Sequence, residues 1–104
     1  MDSINGKHPI SGGAVAVASS ELVSANLDGE VVILGYKSGS YYSLDQVGAF
    51  IWNLLQEPKK VSEIRDAIWK EYEVELAQCE RDLIALLEDL ARKQLIEIKE
   101  ELPS

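Results

Sequence analysis

One histidine and one cysteine are the only soft titratable groups in a chain of 104 residues. His8 sits beside Pro9 in a polar N-terminal run broken by Asn5-Gly6 and Gly12-Gly13 and reads as a solvent-exposed tail residue. A serine or cysteine nucleophile needs a positioned base, and no second histidine exists to supply it. Cys79 falls within the apolar series Leu76, Leu83, Leu86, Leu87 and Leu90, where a free thiol behaves as a small hydrophobe. One thiol and one imidazole cannot make a zinc or iron–sulfur site. Asp82, Glu88 and Asp89 recur at helical spacing among those leucines, as on the solvated face of an amphipathic helix. No glycine-rich phosphate loop is present. The residues therefore point away from catalysis and call for no metal or cofactor.

Binding chemistry is better represented. Tyr41 and Tyr42 are adjacent in a β-prone stretch, so their side chains point to opposite faces of a strand. An outward tyrosine beside an open strand edge is a good interface anchor. The surrounding pattern places this strand last in a small sheet. Leu22 to Leu27 reads as a strand and Asp28-Gly29 as a two-residue type I′ turn. Glu30 to Leu34 is a buried strand, 35 to 39 a second turn holding Lys37-Ser38-Gly39, and Ser40 to Leu44 the third strand. Asp45 caps a helix whose stripe is Val47, Phe50, Ile51, Leu54 and Leu55, closed by Pro58. Ser62 caps a second helix that buries Ile64, Ala67, Ile68 and Tyr72. A third begins after Glu75, with Val74 and Cys79 as a staple and Gln78 as capping partner. Trp52 and Trp69 fall off the main stripes, as in a second packing layer or a contact surface. Leu95 to Ile98 is a terminal strand or a final turn. The expected architecture is α+β: a three-stranded antiparallel sheet followed by three helices, winged helix-turn-helix-like. Residues 1–20 form a flexible N-terminal segment, 21–98 the folded domain and 99–104 a C-terminal tail.

Three helices after a small sheet also suit a DNA-binding regulator, the runner-up reading. The net charge of −8 argues against it, and the helical half carries most of that charge. Glu80, Asp82, Glu88 and Asp89 outnumber Arg81 and Arg92 on the helix that would read DNA. No apolar run approaches the roughly 20 residues of a membrane span. A single cysteine and no signal-peptide pattern fit the cytoplasm.

The run Gly39-Ser40-Tyr41-Tyr42-Ser43-Leu44-Asp45, followed by Gly48-Ala49-Phe50-Ile51-Trp52-Asn53-Leu54-Leu55, resembles the signature of PqqD-like proteins. The likeness continues through Val61-Ser62-Glu63-Ile64, Tyr72-Glu73-Val74, Asp82-Leu83, Leu86-Leu87, Leu90 and Leu95-Ile96. It spans about residues 22 to 98. Each piece is a weak motif alone, and their order and spacing give the resemblance its specificity. Asp45 stands where such chains often carry Asn, and both residues cap helices. The resemblance implies a non-catalytic element that takes the leader of a ribosomally made precursor peptide as an added strand, which agrees with the open tyrosine strand. It implies a backbone edge at Ser40, Tyr41, Tyr42, Ser43 and Leu44. The groove wall would comprise Cys79, Asp82, Leu83, Leu86 and Leu90, with Val32 and Leu34 helping to form a pocket. Among such proteins the chain is most similar to the discrete recognition protein of lasso peptide pathways, which serves a separate cysteine-protease-type leader peptidase. The peptide chaperone of pyrroloquinoline quinone synthesis is the near alternative. A monomer or weak homodimer is expected.

Overall fold

The computed structural model describes Ile10 and residues 12–36 and 39–99. His8, Lys37, Ser38 and the C-terminal tail beyond Lys99 lie outside the described residues. Six strands and three helices follow in the order β1 (Val15–Ala18), β2 (Val23–Leu27), β3 (Glu30–Gly35), β4 (Ser40–Leu44), α1 (Gln46–Leu54), β5 (Lys59–Lys60), α2 (Val61–Glu71), α3 (Leu76–Arg92) and β6 (Ile96–Lys99).

The expected antiparallel meander is β2-β3-β4. Asp28 at φ 53° and Gly29 at φ 83° make the β2–β3 connection a type I′ turn, whose twist matches the strands it joins. Alternation along β3 buries Val31, Ile33 and Gly35 and leaves Val32 half-buried and Leu34 exposed. The sheet thus has one core face, continued on β4 by Leu44.

A second sheet, β5-β1-β6, lies beyond what the pattern disclosed. Its middle strand β1 falls inside the stretch assigned to a flexible N-terminal segment, and it pairs with β6 over four residues, from Val15↔Lys99 to Ala18↔Ile96. Ala14 and Ala16 are fully buried. Small residues gave no amphipathic signal in Val15-Ala16-Val17-Ala18, so only the partner strands reveal this sheet. Leu95 to Ile98 resolves in favour of a strand: α3 ends in a Schellman motif, with Gln94 at φ 63°. There the Leu95 amide donates to the Leu90 carbonyl at 2.9 Å and the Gln94 amide to Ala91 at 3.0 Å. The chain leaves this cap directly into β6.

Helix faces differ from the expected stripes in three places. Trp52 is buried in the core, whereas Val47 is 39% exposed. The short helix α1 packs through Gly48, Ala49, Ile51 and Trp52, a face rotated from the one the larger side chains suggested. Trp69 is 52% exposed on α2 and joins no second layer. Helix α2 starts at Val61 rather than after Ser62, with the Glu63 carboxylate accepting from the Lys60 amide at 2.9 Å. Phe50 and Tyr72 meet edge to face, 5.6 Å between ring centres, tying α1 to the end of α2. The Trp52 indole N–H has no hydrogen-bond partner among the described residues.

Candidate functional site

Strand β4 is an edge: β3 pairs one side of it and no described strand pairs the other. Which of its amides face outward follows from the turn two strands away. A two-residue turn closes on a hydrogen-bonded pair, here Leu27↔Glu30, and hydrogen-bonded and non-bonded pairs then alternate. Glu30, Val32 and Leu34 therefore direct their backbone groups to β2, and Val31, Ile33 and Gly35 direct theirs to β4. Their partners are Leu44, Tyr42 and Ser40. Tyr41 and Ser43 are left presenting N–H and C=O groups to the open edge. A strand added there would turn the side chains opposite Tyr42 and Leu44 inward and those opposite Tyr41 and Ser43 outward.

The inward space is a groove of about 470 Å³ between β4, the first turn of α1, and α3. Tyr42, Ser43 and Leu44 form its strand wall. Gln78, Cys79, Asp82, Leu83 and Leu86 form the α3 wall, two positions from each of two successive turns and one from the next. The N-cap Asp45 and Val47, Gly48 and Ile51 from α1, with Ile68 and Val74, complete it. Its lining is mainly aliphatic, with carboxylates at Asp45 and Asp82 and no basic side chain among the lining residues.

Local chemistry explains how the chain builds these walls. Asp45 caps α1 by accepting from the Gly48 amide at 2.9 Å. Gly48 itself must lack a side chain, because a Cβ there would lie 2.9 Å from Leu44 Cδ2 and 3.0 Å from Leu44 Cβ. The close approach seats α1 against the end of β4. Gln78 does not complete a helix cap. Its amide nitrogen donates to Asp82 at 2.9 Å and its oxygen accepts from Arg81 at 2.8 Å. At the far end the Tyr42 hydroxyl donates to Asp89 Oδ2 at 2.6 Å, joining β4 to α3. That bond, with burial, pushes the Tyr42 hydroxyl up to about 12. Burial chiefly, aided by the Asp82 charge, raises the Cys79 thiol above its ordinary value. A raised thiol pKa is opposite to what a nucleophile needs.

Of the residues named from the sequence, Tyr42, Ser43, Leu44, Cys79, Asp82, Leu83 and Leu86 come together in this groove. Leu90 is fully buried in the core and does not line it. Ser40 begins β4, and its side chain lies outside what the structure describes. Val32, Leu34 and Tyr41 fall on the opposite face of the sheet, where registers Val23↔Leu34 and Leu34↔Tyr41 set three apolar side chains in a row across three strands. Val23 is 56%, Leu34 44% and Tyr41 64% exposed. Sequence reasoning missed Asp45, Val47, Gly48, Ile51, Ile68, Val74 and Gln78 as lining residues. The adjacent small pair Gly48-Ala49 was the available signal that α1 packs on that side and turns Val47 outward. Val74 lies between helices and was read only as a staple against Cys79, itself a lining residue.

Among the described residues no cluster of His, Cys, Asp and Glu could hold a metal ion, and no helix is long and apolar enough to cross a membrane. Residues 30–96 match the family described as Coenzyme PQQ synthesis protein D (PqqD). Two solved structures are similar. One is described as TbiB1 in complex with the TbiA(beta) leader peptide, at 48% identity and TM-score 0.73, covering 78% of this chain and 94% of that one. The other is a lasso peptide synthetase B1 complexed with the leader peptide, at 28% identity and TM-score 0.69, covering 79% and 96%. A comparison with curated protein sequences finds no match.

Proposed function

Because the chain belongs to the PqqD family, we propose that it is a non-catalytic adaptor of lasso peptide biosynthesis that captures a precursor's leader as an added strand on β4. The observation that carries this reading is the open edge at Tyr41 and Ser43 running beside an aliphatic groove of about 470 Å³. Backbone hydrogen bonds to the edge supply affinity that is indifferent to sequence, and the groove supplies discrimination through the leader side chain opposite Leu44. That side chain is apolar, since Leu44, Ile51, Ile68 and Leu83 surround its position. Both similar solved structures hold a leader peptide, which supports the same ligand class here.

The adaptor delivers the leader, in the cytoplasm and as a monomer, to a separate leader peptidase of the cysteine-protease type. Its docking surface is the outer face of the β2-β3-β4 sheet. The exposed row Val23, Leu34 and Tyr41 ends at the leader-binding edge. Leader side chains opposite Tyr41 and Ser43 would extend that row, so a peptidase seated there touches adaptor and substrate at once. The acidic α3 surface disfavours a phosphate backbone, which sets the DNA-regulator alternative aside.

Fluorescence polarisation with labelled leaders from lasso-type precursors and from the quinone-pathway precursor tests the reading. Tight binding of a lasso leader is expected. Selective binding of the quinone-pathway leader would move the protein to that pathway, and binding of neither would overturn the adaptor function.

A further inference from the structure

A strand bound at an open edge has a register problem. Side chains repeat with period two, so a slip of two residues returns the same face to the groove and leaves every backbone hydrogen bond available. It also displaces whatever follows the bound segment by about 6.6 Å, at roughly 3.3 Å per residue. Neither Tyr41 nor Ser43 can tell the two registers apart through backbone contacts. The groove, however, has two unlike ends. One end opens past Val47 and Val74, each 39% exposed. The other is crossed by the Tyr42 side chain, whose hydroxyl reaches Asp89 at 2.6 Å. Arg92 donates to the second Asp89 oxygen at 2.9 Å, and the Lys93 ammonium lies 5.8 Å from the centre of the Tyr42 ring. From Asp89 back to Gln78, α3 runs for about 16 Å at 1.5 Å per residue, the length of about five strand residues.

Resting on the leader-binding reading above, we propose that the Tyr42–Asp89 pair is an end stop that fixes the register of the bound leader. Tyr42 bridges strand and helix, so a bulky leader side chain cannot take the inward position opposite it. The bulky apolar residue must then sit opposite Leu44, and the inward residue two places nearer the stop must be small. The pair acts on position alone: Tyr42 and Asp89 are positioning residues that determine where the scissile bond emerges from the adaptor.

The test is a photocross-linking walk. Lasso-type leader peptides carry one photoreactive residue at successive positions, and the adducts on the full chain are mapped by mass spectrometry. The wild-type protein is expected to give one register. Tyr42→Phe and Asp89→Ala should each add a second set of adducts displaced by two leader residues and comparable in yield to the first. Asp89→Asn keeps an oxygen that accepts from the Tyr42 hydroxyl and should restore the single register. Asp89 is partly exposed at the helix surface, so its variants leave the core intact. A single unchanged register in both Tyr42→Phe and Asp89→Ala, at saturating leader, would overturn the stop while leaving leader binding in place. No adduct and no binding with the wild-type protein would instead overturn the adaptor reading, and the stop with it.

Discussion

The β2-β3-β4 sheet has two edges, and they are unlike. Both β2 and β4 pair with β3 on one side only among the described residues. Strand β2 is exposed along all five residues. Strand β4 has the first turn of α1 and the length of α3 beside its open edge, with the groove between them. An unpaired edge alone offers backbone groups and no selectivity, and it is a liability for aggregation. A helix standing beside such an edge across an apolar groove can turn it into a slot that reads alternate side chains. On the proposed reading the leader adds at the β4 edge and not at the β2 edge.

Proline substitution gives the largest expected contrast between the edges. Ser43→Pro removes an outward amide at the β4 edge, and an edge strand tolerates it. Leader affinity should fall at least about tenfold, the factor that corresponds to roughly 1.4 kcal/mol, with the fold retained. Ser24→Pro removes the equivalent outward amide on β2 and should leave affinity unchanged in the same polarisation assay. A charge in place of an exposed apolar residue sharpens the contrast. Val47→Asp enters the groove wall without disturbing the core and should weaken the leader by roughly 1–3 kcal/mol, the penalty for leaving a polar group poorly solvated. Leu27→Asp, at the exposed end of β2, should change binding and stability by less than about 0.5 kcal/mol.

How much of this was legible beforehand depended on whether a residue's role was local. Asp28-Gly29 dictates its turn through φ alone, and Leu22 to Leu44 reads as a meander because alternation and turn chemistry are local properties. The strand wall and most of the α3 wall followed once the family resemblance supplied their pairing. The sheet around β1 was invisible because Ala14, Ala16 and Ala18 bury little area and take their meaning from β5 and β6. Val47 was misread for a related reason: α1 is short, and the tight seat of Gly48 on Leu44, a tertiary contact, decides which way the helix faces. Val32 and Leu34 were expected to help form a leader pocket because the neighbouring strand was considered without fixing its face, whereas Tyr41 was expected only as part of the backbone edge. Register puts the side chains of Val32 and Leu34 on the face away from the groove.

Two smaller effects probe the groove from within. Burial chiefly raises the Cys79 thiol pKa and shields the sulfur, so it should react slowly with thiol reagents at neutral pH, and saturating leader should slow it further. Protection by leader ties the effect to the groove; equal rates with and without leader would detach Cys79 from it. In an ultraviolet titration one tyrosine should ionise near pH 12, and Asp89→Ala should return it toward the ordinary value of about 10. A pKa raised by folding means that this contribution to stability is complete below about pH 10 and is lost as pH rises toward 12. The variant should therefore show a shallower alkaline loss of stability.

The most direct test of strand addition at β4 is residue-resolved amide hydrogen exchange with and without a saturating lasso-type leader. The account predicts new protection at the Tyr41 and Ser43 amides, with none at the outward amides of Ser24 and Asn26 on β2. Protection on β2, or none at Tyr41 and Ser43 while the leader is demonstrably bound, would contradict it.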